Sequence, residues 1–99
     1  MNKYIKTDIE SAEKYMKAAI MNALHDIDTG VEKEINLGLN ISWNLFYYCI
    51  QEAGWKGDMD FEINGWEVDF WYPCESPSGK YVMIEGSLWG GQNYKIYLK

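Results

Sequence analysis

Asn64-Gly65 stands between two runs of alternating apolar and polar residues, and this arrangement limits the fold more than any other feature of the chain. Asparagine and glycine both tolerate the positive φ that tight hairpins need, so the pair predicts a two-residue loop. Such a loop decides which residues face each other. Ile63 is expected opposite Trp66, Phe61 opposite Val68 and Met59 opposite Phe70. The side-chain period of a strand is two, so these six apolar residues share one side, the core side. The other side then sets carboxylate against carboxylate: Glu62 opposes Glu67, Asp60 opposes Asp69, and Asp58 opposes Trp71. Like charges directly opposed destabilise a sheet by roughly 0.2–1 kcal/mol per pair, so the pattern works against the fold that carries it.

Two further reversals extend the hairpin. The run Ser76-Pro77-Ser78-Gly79-Lys80 predicts a type I turn with glycine in the left-handed position. That turn pairs Ser76 with Lys80, Tyr72 with Ile84 and Val68 with Leu88, and it sets Trp71 beside Glu85 on the acidic side. Gly90-Gly91-Gln92 predicts a third turn, with Leu88 opposite Tyr94 and Ile84 opposite Leu98. It leaves Glu85 beside Tyr97 and Ser87 beside Lys95. The expectation is a four-stranded antiparallel meander over residues 58–63, 66–74, 80–89 and 93–98.

The first half of the chain reads differently. Ile9, Ala12, Met16, Ala19, Ile20, Ala23, Leu24 and Ile27 recur at helical spacing. Thr7 and Glu10 form a capping box ahead of them, and Gly30 follows, which predicts a helix over residues 8–28. Residues 31–41 alternate, with Val31, Lys33, Ile35, Leu37, Leu39 and Ile41 on one side, and predict a strand. Ser42 caps a second helix through residue 53, with Phe46, Cys49, Ile50 and Ala53 inward and Gly54 at its end. The fold class expected is α+β in one domain spanning residues 1–99. Two N-terminal helices, with a strand between them, pack on one face of the C-terminal meander.

Composition narrows the function. With 47% hydrophobic and 24% charged residues the chain reads as globular. No stretch approaches the roughly 20 apolar residues of a membrane span, and no signal-peptide core follows the N-terminus, so a cytoplasmic protein is expected. The net charge is −6, and all nine positive charges are lysines. Arginine supplies the bidentate phosphate and base contacts of nucleic-acid recognition, so an acidic chain without it points away from direct nucleic-acid binding. A basic surface on a protein is the better match.

Candidate chemistry is sparse. Cys49 and Cys74 read as buried thiols, and with one histidine and no CxxC a zinc site is not expected. His25 falls off the apolar stripe of its helix and reads as a surface residue. Asp26-Ile27-Asp28-Thr29-Gly30 opens like a calcium loop but has Leu37 where an EF-hand needs glutamate. No catalytic constellation or phosphate loop appears, and no cofactor is implied. Of the five tryptophans, Trp43 and Trp66 are expected in the core, while Trp55, Trp71 and Trp89 fall at loop or outer-face positions.

The informative surface is therefore Asp58, Asp60, Glu62, Glu67, Asp69 and Glu85 around Trp71. It reads as an ordinary solvated face, as a docking surface for a basic protein patch, or as a calcium site. A small-ligand module taking carbohydrate on exposed tryptophans, or calcium on carboxylates, is the alternative to protein binding. A structural protein that associates with its own copies is another. In size, acidity and general character the chain is similar to small acidic inhibitors of phages and mobile elements, among them anti-CRISPR proteins and nucleic-acid mimics, and to immunity proteins. This likeness attaches to no particular residue. It implies a non-catalytic inhibitor that occupies a basic or nucleic-acid-binding surface of a partner.

Overall fold

Ser42 accepts a hydrogen bond from the Leu45 N–H at 3.3 Å and starts a helix where the sequence places one. The same helix ends by two bonds around Gly54, whose φ is 83°: Gly54 N–H to the Gln51 carbonyl and Trp55 N–H to that of Ile50. This is a Schellman ending, in which the residue after the glycine turns back onto the helix. The computed structural model describes the backbone of residues 3–38, 41–87 and 93–99, and of these the side chains from residue 13 onward. Within those residues the chain is α+β, with two helices and six strands. They are α1 (Lys3–Thr29), β1 (Glu34–Leu37), α2 (Trp43–Glu52), β2 (Lys56–Gly57), β3 (Asp60–Asn64), β4 (Glu67–Glu75), β5 (Tyr81–Ser87) and β6 (Asn93–Leu98).

All strand pairs are antiparallel, in the order β1-β6-β5-β4-β2, with β3 also beside β4. The sheet thus has six strands where the sequence pattern predicts four. β1 adds to the far edge beside β6, and residues 56–57 form a short strand between α2 and the hairpin. β2 and β3 follow one register along β4, and the ladder lapses at Asp58 and Met59 opposite Tyr72 and Pro73. Proline has no N–H to give a ladder, which fits the interruption.

Both helices cover the same face. Ile20, Ala23, Leu24 and Ile27 of α1 and Phe46, Cys49 and Ile50 of α2 are buried with Phe70, Tyr72, Cys74, Val82, Ile84, Tyr94 and Ile96 of the sheet. Aromatic rings fill the centre: Phe46 stacks on Tyr94 at 4.3 Å, and Trp43 lies 4.8 Å from Phe70. Gly86 makes this possible. A Cβ there would lie 1.9 Å from the Asn93 carbonyl oxygen and 3.2 Å from the Phe70 ring. The buried Tyr94 hydroxyl donates to the Ile41 carbonyl at 2.7 Å, and burial pushes its pKa up to about 12. No helix among the described residues is long and apolar enough to cross a membrane.

Several expectations need correction. α1 begins at Lys3, so Thr7 and Glu10 lie within the helix and do not cap it. Val31 is exposed and precedes the strand, which among the described residues covers Glu34–Leu37; Leu39 and Asn40 lie outside the described residues. Trp66 is 90% exposed and Trp55 is buried, the reverse of what their positions suggest. Trp55 is buried because it is the residue that the Schellman ending folds inward. Trp66 is exposed because the hairpin register differs by two residues: Asn64 pairs with Glu67, Ile63 with Val68 and Phe61 with Phe70. Gly65, at φ 61°, takes the first turn position and Trp66 the second, as in a type II′ turn. The anchor for this register lies at Gly57, opposite Cys74, where a Cβ would meet the Pro73 carbonyl oxygen at 2.3 Å. The expected register would bring Trp55 to that position.

The β4–β5 register is as the Ser76–Lys80 turn predicts, with Tyr72 opposite Ile84 and Trp71 opposite Glu85. The β5–β6 register differs by two residues: Ile84 faces Ile96, Glu85 faces Lys95 and Ser87 faces Asn93. Gly86 lies opposite both Phe70 and Tyr94, where a Cβ would crowd the Phe70 ring. The expected Leu88 pairings, the Gly90-Gly91-Gln92 turn and the position of Trp89 lie outside the described residues.

Candidate acidic interface

A register error of two residues leaves every side chain on its expected face, because the strand period is two. The outward-facing residues of β3, β4 and β5 accordingly include Asp60, Glu62, Glu67, Asp69, Trp71 and Glu85. Their partners change. Glu62 is opposed directly by Asp69, Asp60 and Glu85 flank Trp71 on either side, and Glu67 faces Asn64. The Asn64 amide reaches Asp69 at 3.4 Å and supplies a neutral donor beside the opposed carboxylates. Asp58 is exposed and has no ladder partner among the described residues. It lies in the break between β2 and β3, and its charge acts on Tyr72, an inward-facing residue whose pKa is raised by burial first and then by Tyr47, Cys74 and Asp58.

The face changes character across the sheet. Glu85 faces Lys95 and accepts a hydrogen bond from the Tyr97 hydroxyl at 3.2 Å, while Lys95 pairs with Glu34 of β1 at 3.3 Å. Burial and the Glu85 carboxylate raise the Tyr97 pKa. None of the described outward-facing residues is buried. At the other end, an open groove of about 490 Å³ is lined by Lys56, Pro73, Glu75, Tyr81 and Lys99. The acidic patch and this lysine-flanked groove occupy opposite ends of the face.

The remaining candidates are held structurally. Cys74 donates to the Val82 carbonyl at 3.5 Å, and burial pushes its thiol up to about 12, far from a reactive thiolate. Cys49 is buried, unbridged and likewise raised by burial. His25 is exposed, 3.7 Å from the Asp26 carboxylate. Asp28, at the end of α1, binds the β4–β5 turn: its carboxylate accepts from the Ser78 N–H at 3.0 Å, and its carbonyl accepts from the Ser78 hydroxyl and the Lys80 ammonium. Burial pushes this carboxyl upward, but the bonds from Ser76 and Ser78 and the charge of Lys80 outweigh it and hold the pKa low. Among the described residues, no three acidic, cysteine or histidine side chains come together to hold a metal ion.

Asp28 acts as a clamp with no local signal, because Ser78 is fifty positions away. Trp55 did have a signal, a large apolar residue directly after a helix-ending glycine. No family model, curated protein or solved structure matches the chain.

Proposed function

We propose that the protein is a non-catalytic binding module whose acidic sheet face, on the β3–β4 hairpin and Glu85, docks on a basic surface of a partner protein. The observation that carries this reading is Glu62 directly opposite Asp69 on an exposed face, with Asp60 and Glu85 flanking Trp71. Opposed acids cost the sheet stability, and a basic partner would turn that cost into attraction. Trp71 adds an aromatic anchor of the kind that dominates interfaces. Spaced carboxylates also stand in for phosphates, so the surface occupied is one that would otherwise hold nucleic acid, as an inhibitor would require. Two unbridged cysteines fit action in a reducing cytoplasm.

The ionic-strength dependence of capture tests the reading. A partner retained from a host lysate on immobilised protein at low salt should elute as the Debye length shortens from about 10 Å at 0.1 M to about 3 Å at 1 M. Retention unaffected by salt would contradict a charge-based contact. A second reading has one observation of its own: Trp71, Tyr81 and Tyr97 share the outer face with Glu85, an arrangement on which a sugar ring could stack. Tryptophan fluorescence that responds to a sugar panel would favour it.

A further inference from the structure

The open edge of the sheet at β3 has two faces of different chemistry. A two-residue turn makes Asn64 and Glu67 a hydrogen-bonded pair, and by alternation Glu62 with Asp69 and Asp60 with Trp71 are bonded pairs also. Phe61 and Ile63 therefore direct their backbone groups away from β4, toward the open edge. The Phe61 N–H is held by the Asp60 carboxylate at 3.0 Å, in the place where a neighbouring strand's carbonyl would sit. On the core side of this edge Phe61 is 55% and Ile63 64% exposed, although their neighbours Phe70 and Val68 are buried. On the outer side stand Asp60 and Glu62, with Asp69 behind them.

We infer that β3 accepts an extended segment of a partner protein, one in which apolar and basic residues alternate. Main-chain bonds to Phe61 and Ile63 would supply affinity, and the alternation would supply specificity. Apolar side chains of the added strand lie beside Phe61 and Ile63, and lysines or arginines lie beside Asp60 and Glu62. A second copy of this chain matches less well, because antiparallel self-pairing sets the acids of β3 against themselves. The inference rests on the acidic-face reading and gives the partner a form.

Two synthetic peptides of equal charge separate the possibilities: Lys-Val-Lys-Val-Lys-Val-Lys and Val-Val-Val-Lys-Lys-Lys-Lys. The alternating peptide should bind about tenfold tighter than the block peptide and slow hydrogen exchange at the Ile63 amide. Ile63→Pro, which removes an N–H facing the open edge, should abolish that advantage and leave block-peptide binding unchanged. Equal binding of the two peptides, weakened alike by Asp60→Lys, overturns strand addition and leaves the acidic face standing. Binding of neither overturns both readings. A dimer of the native protein that Ile63→Pro dissociates assigns the edge to a second copy and also overturns the inference.

Discussion

Asp28 sits at the negative end of the α1 dipole, where a carboxylate is electrostatically misplaced. The structure resolves this through the β4–β5 turn. Lys80 brings its ammonium to the helix-terminal carbonyl at 2.6 Å, and Ser78 donates to the carboxylate. Asp28→Ala should therefore cost about 1–3 kcal/mol, the range for losing hydrogen bonds to a charged group. The pH dependence has a definite sign. The folded pKa lies below the ordinary 3.8, so the contribution is present above that value and is lost as pH falls through the folded pKa. Thermal melts of both proteins between pH 7 and about pH 2 should show the stability gap closing only at the acid end. At this scale the sequence is legible where a residue acts on near neighbours, as Ser42 and Gly54 do. It is illegible where the partner arrives through the fold, as with Asp28 and Ser78, or Gly57 and Pro73.

The β3–β4 hairpin shows the same division between elements. Alternation decides the face of every residue, and Asn64-Gly65 decides that a turn occurs. Neither distinguishes Asn64-Gly65 from Gly65-Trp66 as the central pair, since glycine satisfies both turn types. The choice is made at a distance, by the tight passage of Gly57 over Pro73 and Cys74. A shift of two preserves faces, so the same carboxylates point outward in either register. The opposed pair is what the shift moved, from Glu62 and Glu67 to Glu62 and Asp69. Glu62→Lys replaces this like-charge pair with an opposite one and should stabilise the protein by about 0.5–1 kcal/mol. Urea unfolding checks it: the midpoint should rise at low salt, and the gain should shrink as salt is added.

Taken whole, the described residues form a six-stranded sheet with both helices packed on one side. A single covered face gives the core its wall of aromatic rings and leaves the opposite face to solvent. With a net charge of −6 and no arginine, that open face is acidic toward β3 and balanced by Lys95 toward β1. The general architecture followed from two periodicities, 3.6 and then 2, along the chain. The 31–41 alternation announced β1 but not its place beside β6, and β2 had no signal, because two residues leave too short a pattern to separate from a loop. On the proposed function, the carboxylates on the hairpin are kept for a basic partner. Capture from a host lysate by the Asp60→Lys, Glu67→Lys double variant, with its fold verified by melting, tests this most directly. The double variant should be folded, no less stable than the native protein, and should no longer retain the partner. Undiminished retention by the folded variant would contradict it.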